Sequence, residues 1–198
     1  MQQSSKKKSC TYVVILMRYI VLLRGINVSS QKRVKMADLK EIFESLGFED
    51  VRTYVQSGNV IFDYELTDTE KLASYIENKI NQILGLSINI IIRTKEELVE
   101  IVNNNPFVAE ANIATDKLHV IFLLDVPDPK TTSHLDIKKD KNEEFKIVCR
   151  EVYLYCPNGY GRTKLNNATF ERKLHTIATT RNWKTTNKLL ELSKLEQT

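Results

Sequence analysis

The chain has 198 residues, of which 42% are hydrophobic and 27% are charged, ordinary proportions for a globular protein with an apolar core. Its three cysteines show no framework spacing, so we exclude a small disulfide-stabilised scaffold and expect reduced thiols in a cytoplasmic protein. The net charge of +4 resides in residues 1–18, and the rest of the chain is neutral, with two basic ends around an acidic middle.

We predict that residues 1–16 are a disordered or accessory extension and that the domain starts at Met17. Three lysines precede an apolar stretch, as in a signal peptide, but Arg18 interrupts the stretch and no small-residue cleavage site follows. The stretch is also too short to cross a bilayer, so we predict no membrane partner.

The first half, assigned to residues 17–105, alternates apolar strands with amphipathic helices. Leu39, Ile42 and Phe43 recur at helical spacing, and Gly47 is the expected stop. Thr67–Glu70 and Thr94–Glu97 each predict a capping box that opens a helix. The predicted strands are Tyr19–Leu23, Val51–Gln56, Val60–Asp63 and Ser87–Ile92, and the first predicted helix is Met36–Leu46. The resulting order βαββαβ is that of a ferredoxin-like unit.

The second half, assigned to residues 106–198, follows the order βαββα without a residue-level repeat. Its predicted strands are Lys117–Leu124, Phe145–Cys149 and Val152–Cys156, and its predicted helices are Lys130–Lys139, Asn167–Leu174 and a final one from Trp183 to Leu192. We expect Cys149 and Cys156 to be buried thiols in the paired strands. Sheets covered by helices on one face indicate an α+β fold.

The clearest candidate site is Arg24-Gly25-Ile26-Asn27, at the end of the first strand. Loops that leave strand ends often carry ligands, and a guanidinium offers a planar fork for a carboxylate or phosphate. Further cations precede the next helix, whose N-terminus also favours anions; they are Lys32, Arg33 and Lys35. The alternative is structural, with Arg24 paired to an acid and Gly25 merely turning the chain.

A second candidate, Gln56-Ser57-Gly58-Asn59, separates two predicted strands. The structural interpretation is a hairpin turn, since Gly and Asn serve turns for steric reasons. Against it, Gln56 is a polar residue at the end of a β-rich run. Ser57 lacks the strand-turn-helix context of an activated nucleophile.

A third candidate, Thr179–Thr185, combines Arg181, Asn182 and Trp183. Together these supply a charged fork, an amide and a flat stacking surface. Alternatively, Asn182 caps the last helix and Trp183 packs in the core. Arg162 and Lys164 add cations nearby in sequence, in a Gly-containing loop that lacks the Walker spacing.

No pattern points to a metal, a cofactor or a catalytic residue. His119, His134 and His175 are scattered, without ligand spacing to one another or to the cysteines. Dinucleotide-binding and calcium-loop motifs are missing from the sequence. We therefore predict no metal and no cofactor, and the sequence leaves open whether the protein is an enzyme.

Several motifs resemble those of one family. In order along the chain they are LLRGINV with VKMADL, VRTYVQSGNVIF, the NPF segment Asn105–Phe107, YLYCPNGYGRTKL and ATTRNWKTTNKL. They resemble the domain of unknown function 1697 family of small bacterial proteins, from Met17 nearly to the C-terminus. The family loop after RGINV is Gly-rich, whereas this chain has Ser29 and Ser30. The resemblance implies two ferredoxin-like subdomains and no established activity.

We predict a two-lobed α+β protein with antiparallel or mixed sheets, a C-terminal helix and a basic cleft between the subdomains. The cleft would bind a small anionic ligand of phosphate or nucleotide type. Its predicted ligand-binding residues are Arg24, Asn27, Lys35, Gln56, Asn59, Arg162, Lys164, Arg181, Asn182 and Trp183. One alternative is a nucleic-acid-binding module, which the neutral body and the lack of an aromatic RNA-binding pattern disfavour. A further alternative is a structural or protein-interaction domain.

Overall fold

The computed structural model describes residues 15–27, 33–110 and 113–194. Within these ranges the chain forms two four-stranded antiparallel sheets and six α-helices, which confirms the α+β prediction. The predicted extension falls almost entirely outside the described residues, which begin at Ile15.

The first half follows the order βαββαβα. Its elements are β1 (Leu16–Leu23), α1 (Met36–Ser45), β2 (Glu49–Tyr54), β3 (Asn59–Glu65), α2 (Thr69–Leu84), β4 (Ile90–Thr94) and α3 (Lys95–Asn103). The strands lie in the order β2-β3-β1-β4, and all neighbours are antiparallel. This arrangement is consistent with a ferredoxin-like subdomain.

The second half repeats this order. Its elements are β5 (Leu118–Leu123), α4 (Pro129–Ser133), β6 (Glu144–Val148), β7 (Glu151–Tyr155), α5 (Asn167–Leu174), β8 (Ala178–Asn182) and α6 (Trp183–Ser193), with short 3-10 turns at Thr115–Lys117 and Tyr160–Arg162. The strand order β6-β7-β5-β8 matches that of the first sheet position by position.

Local sequence signals explain most of the helix ends. Thr94 and Glu97 form the predicted reciprocal capping box at α3. At α2 the cap is Asp68 rather than the predicted Thr67, because the Asp68 carboxylate accepts hydrogen bonds from the Glu70 and Lys71 amides. Gly85 ends α2 in the left-handed conformation.

One strand was missed, and two other sequence predictions were wrong. Strand β8 was not predicted, because its polar sequence ATTRN lacks the apolar pattern of a core strand. Helix α4 is much shorter than predicted and spans Pro129–Ser133. Cys149 is exposed in the turn between β6 and β7 with φ of 51°, whereas Cys156 is buried as expected.

The apolar residues form three clusters in layers. One cluster lies between the first sheet and helices α1 and α2, and another lies between the second sheet and helix α5. The third lies between the two sheets and includes residues of α3 and α6; among its members are Ile20, Leu22, Ile61, Ile91, Leu98, Val120, Phe122, Tyr153, Trp183 and Leu189. The two halves therefore share a core, and the helix that ends each half lies in it.

Candidate functional site

Arg181, in β8, joins the three sequence motifs at one buried point. Its side chain reaches the first half, where Nη2 donates to the carbonyl oxygens of Leu23, Ser57 and Gly58 at 3.0, 3.1 and 3.2 Å. Its Nε donates to the Asn59 side chain, and its Nη1 to Thr179 and to the carbonyl of Thr180. The guanidinium is thus saturated by protein oxygens.

Arg181 is a buried cation without a carboxylate partner in the described part of the chain. The residue is 6% exposed, and all its acceptors are neutral oxygens. Desolvation lowers the pKa of Arg181 to about 10, which still leaves it charged at neutral pH. Arg181 and the oxygens that accept its hydrogen bonds, here called the Arg181 node, therefore carry an uncompensated positive charge.

The turn that Arg181 holds also packs against the RGIN segment. Gly58 has φ of 72°, and a Cβ built there would lie 2.3 Å from Ile26 Cγ2 and 3.0 Å from Leu23 Cβ. The Leu23 amide donates to the Gly58 carbonyl at 2.9 Å. Only glycine fits at this close approach, which explains the residue type in the QSGN motif.

Asn27 ties both ends of the loop that follows β1. Its Nδ2 donates to the carbonyls of Val34 and Gln56 at 3.0 and 2.9 Å, and its Oδ1 accepts from the Val34 amide at 2.8 Å. Asn27 itself has φ of 57°, a conformation that Asn tolerates better than most residues. The amide side chain thus positions the residues before α1.

A basic cavity of about 570 Å³ lies where this loop meets α1. Its lining contains two exposed cations, Arg33 and Lys35, and no acid; the lining residues are Asn27, Arg33, Val34, Lys35, Met36 and Gln56. Neither cation has an ion-pair partner among the described residues. Lys35 is the N-cap of α1, and its side chain does not cap the first amides of that helix. Three predicted ligand residues, Asn27, Lys35 and Gln56, therefore line one cavity.

Arg24 is bound to Glu171 of α5. Its Nε and Nη2 donate to the two carboxylate oxygens at 2.6 and 2.7 Å, a bidentate pair across the two halves. The hydrogen bond and charge of Glu171 raise the pKa of Arg24, and the pKa of Glu171 is lowered by Arg24 against the effect of burial. Arg24 thus has the structural role, paired with an acid, that was the alternative to ligand binding.

Asn182 and Trp183 begin helix α6. The Asn182 side chain accepts from the Thr185 amide at 2.7 Å, and Trp183 is only 9% exposed within the core shared by the sheets. Both residues thus have the structural roles that were the alternative to ligand contact.

Arg162 and Lys164 lie apart from the loop cavity. Both are exposed, and Lys164 lines a second cavity, of about 430 Å³, beside the N-terminus of α5. Its lining holds four cations against Asp136; the cations are Lys138, Lys164, Arg172 and Lys173. None of the four has an ion-pair partner within the described residues.

A related node forms where Arg93, in β4 of the first half, reaches residues of the second half. Arg93 pairs with Ile20 in the sheet as Arg181 pairs with Val120, and its Nη2 donates to the Leu123 carbonyl at 2.6 Å. Here, however, Glu151 accepts from Nε at 2.9 Å, and both residues are buried. Desolvation raises the pKa of Glu151 although Arg93 opposes the shift.

His119 and Tyr160 form a stacked pair beside β8. Their ring centroids are 4.8 Å apart, and His119 Nδ1 lies 3.3 Å from the Lys117 carbonyl. Burial lowers the pKa of His119. The Tyr160 hydroxyl bonds to Thr180 at 2.8 Å, and burial raises its pKa. The pair is therefore largely neutral near pH 7.

The family of unknown function DUF1697 has a model that matches residues 16–153. The chain belongs to the DUF1697 family. The match includes the RGIN and QSGN motifs, whereas Arg181 lies beyond the matched residues. No curated protein matches this DUF1697 protein.

The DUF1697 protein is similar to a solved structure, that of the conserved bacterial protein SP0830 from Streptococcus pneumoniae. The TM-score is 0.69 at 23% sequence identity, and the match covers 91% of this chain and 100% of the other. At this identity the likeness establishes the fold.

Within the described residues of the DUF1697 protein, no group of three or more His, Cys, Asp or Glu side chains is placed to hold a metal ion. The same residues include no helix of the length and apolarity needed to traverse a membrane.

Sequence reasoning missed Arg93 and the cations of the second cavity. The position of Arg93 in the sequence could have indicated its role, because it directly precedes the N-cap of α3 as Arg181 directly precedes the N-cap of α6. The basic residues of α5 offered no comparable signal, because charged residues on an exposed helix face are common.

Proposed function

We propose that this DUF1697 protein binds a small anionic ligand of phosphate or nucleotide type at the loop cavity. The observation that supports the proposal is the pair of exposed cations, Arg33 and Lys35, which have neither an ion-pair partner nor an acidic neighbour in the cavity among the described residues. Two cations in a concave site focus a positive potential and attract anions.

The remaining lining supplies orientation rather than charge. Gln56 offers an exposed amide, and the first amides of α1 favour a negative group at that helix end. Val34 and Met36 add apolar surface, as expected of a site that also takes the organic part of a ligand.

The other predicted residues have supporting roles in this proposal. Arg181 and Asn59 hold the turn that carries Gln56, and Arg24 binds α5 through Glu171. Asn182 and Trp183 anchor α6. Asn27 uses both of its amide hydrogens on the Val34 and Gln56 carbonyls and holds the loop ends. Direct ligand contact is assigned to Arg33, Lys35 and Gln56.

A thermal-shift panel of phosphate esters and nucleotides tests the proposal. A ligand at a hundred times its Kd adds about 2.7 kcal/mol to the unfolding free energy. We expect this stabilisation in the native protein and its loss in the double variant Arg33→Ala, Lys35→Ala. Lys40→Ala, which removes a nearby cation of α1 that lies outside the cavity and pairs with Glu44, is the control and should respond like the native protein. An unchanged response of the double variant would contradict the proposal.

Nucleic-acid binding is the second candidate, and the second cavity favours it. The four cations beside α5, without ion-pair partners in the part of the chain that the structure describes, form a patch suited to a phosphate backbone. Binding of this kind weakens with salt with a log–log slope of about −0.9 per phosphate contact on duplex DNA. Arg172→Ala combined with Lys173→Ala should reduce that slope, and a flat salt dependence in the native protein would exclude this function.

We also propose a cytoplasmic location. Cys149 and Cys156 are free thiols, and Cys149 is exposed, as expected of a protein kept in a reducing compartment. Thiol titration of protein isolated under non-reducing conditions tests this, with reactive Cys149 as the expected result.

A further inference from the structure

The two halves repeat one buried arginine node with a single chemical difference. In the first sheet Leu22 pairs with Asn59, and at the equivalent place in the second sheet Phe122 pairs with Glu151. Asn59 bonds Arg181 Nε, and Glu151 bonds Arg93 Nε. One node is thus neutralised by a carboxylate, and the other contains an amide.

The two turns that complete the nodes are also equivalent. The Leu23 amide donates to the Gly58 carbonyl at 2.9 Å, and the Leu123 amide donates to the Arg150 carbonyl at 2.8 Å. Ser57 and Cys149 therefore occupy matching, exposed positions of the two turns. They provide a pair of sites at which the same change can be compared.

We infer that the anion of the proposed loop cavity lies over the Gln56–Gly58 turn and balances the charge of Arg181, as Glu151 balances Arg93. The inference rests on the proposed function and specifies where the ligand's charge is placed. It also predicts that the second half, whose node is already neutral, lacks an equivalent site.

The peptide geometry of the turn supports this placement. The Ser57 carbonyl points at Arg181, so the Gly58 amide of the same trans peptide points the opposite way. Among the described residues, neither the Ser57 nor the Gly58 amide has an acceptor. Successive amides without acceptors form concave sites for anions, and of these two residues Ser57 is exposed whereas Gly58 is buried.

The link between turn and cavity is Gln56. Asn27, which lines the cavity, donates to the Gln56 carbonyl, while Arg181 holds the next carbonyl, that of Ser57. The turn is therefore fixed from both sides, with the charge of Arg181 behind it and Arg33 and Lys35 in the adjoining cavity.

The test is a titration of the full chain with inorganic phosphate, followed by the NMR shifts of backbone amides. We expect saturable shifts at Ser57 and Gly58, and at least a tenfold loss of affinity in Ser57→Asp, whose carboxylate supplies the missing charge. Cys149→Asp, the same change at the matching turn, should bind phosphate like the native protein. Should Ser57→Asp fail to fold, Asn59→Asp places a carboxylate against Arg181 directly and should show the same loss.

The outcomes separate the two proposals. Phosphate binding that shifts Arg33 and Lys35 but not the turn, with native affinity in Ser57→Asp, overturns the inference and leaves the proposed function standing. No binding of phosphate, phosphate esters or nucleotides by the native protein overturns both. Equal losses in Ser57→Asp and Cys149→Asp mean a general charge effect and overturn the inference.

Discussion

Position 58 requires glycine for two separate reasons, one of backbone conformation and one of space. A positive φ costs an ordinary residue about 1–2 kcal/mol, whereas a Cβ at this site also overlaps the Ile26 side chain. At Gly85 only the first reason applies, because nothing lies within 4 Å of a Cβ built there. A comparison of the two glycines therefore distinguishes the energetic cost of backbone strain from that of steric overlap.

Gly58→Ala is expected to lower the unfolding free energy by about 3 kcal/mol, the sum of strain and overpacking. Gly85→Ala should cost only about 1 kcal/mol. Urea unfolding of the two variants measures the difference, and equal losses would mean that the turn yields easily to the added methyl group.

We expect His119 to make the stability of the protein depend on pH. Because burial lowers its pKa in the folded state, the unfolded chain binds a proton more readily below about pH 6.5. Its contribution to stability is present above that pH and is lost as the pH falls. We expect the urea midpoint to drop between pH 7.5 and 5.5, with a smaller drop in His119→Gln; an equal drop would exclude His119 as a source.

At the scale of elements, the β2–β3 hairpin contains a strained residue at its tip. Val55 has φ of 51° and is 45% exposed, although β-branched residues rarely adopt this conformation. Its neighbour Gln56 lines the loop cavity. Strain of this kind costs about 1–3 kcal/mol and is often found next to functional sites.

Val55→Gly should raise the unfolding free energy by about 1 kcal/mol, since glycine adopts this conformation without strain and little buried surface is lost. Val126→Gly is the control: Val126 is 66% exposed and has no positive φ, so its replacement should be neutral or mildly destabilising. Thermal unfolding compares the two, and destabilisation by Val55→Gly would show that the side chain packs well.

The helices and strands also show which parts of the fold could be predicted from the sequence. Helices α1, α3, α5 and α6 were predicted closely, because apolar spacing and capping residues are local signals. Strand β8 was missed because its polar side chains serve non-local contacts. The pairing of Arg24 with Glu171 joins residues 147 positions apart, and no local pattern specifies such a partner. The motifs were located correctly, whereas the roles of their arginines depended on the fold.

At the scale of the whole molecule, the halves depend on each other. The inner faces of both sheets, with residues such as Ile20 and Phe122, are buried in one cluster with α3 and α6. Separating the chain near residue 105 would expose apolar residues that carry about 1.5–3 kcal/mol of stabilisation each. The assignment of 17–105 and 106–198 as subdomains remains a prediction about sequence organisation.

We expect the fragments 1–105 and 106–198 to be unfolded or aggregated when each is produced alone, and to form a folded complex when co-expressed. Circular dichroism and cooperative urea unfolding measure this. A cooperative transition of fragment 1–105 alone, with the slope expected for its size, would show that the first half is an independent domain.

The placement of α3 and α6 between the sheets also limits how a ligand could enter. A clam-shell opening would have to move both helices away from the sheets. It would expose the whole apolar layer between the sheets to water at once. The ligand proposed for the loop cavity would instead enter and leave by local rearrangement at the rim, near the side chain of Asn27 that ties the loop ends. The rates at which the proposed ligand binds and dissociates should therefore change with substitutions at the rim. They should not change with substitutions between the sheets that preserve the packing there.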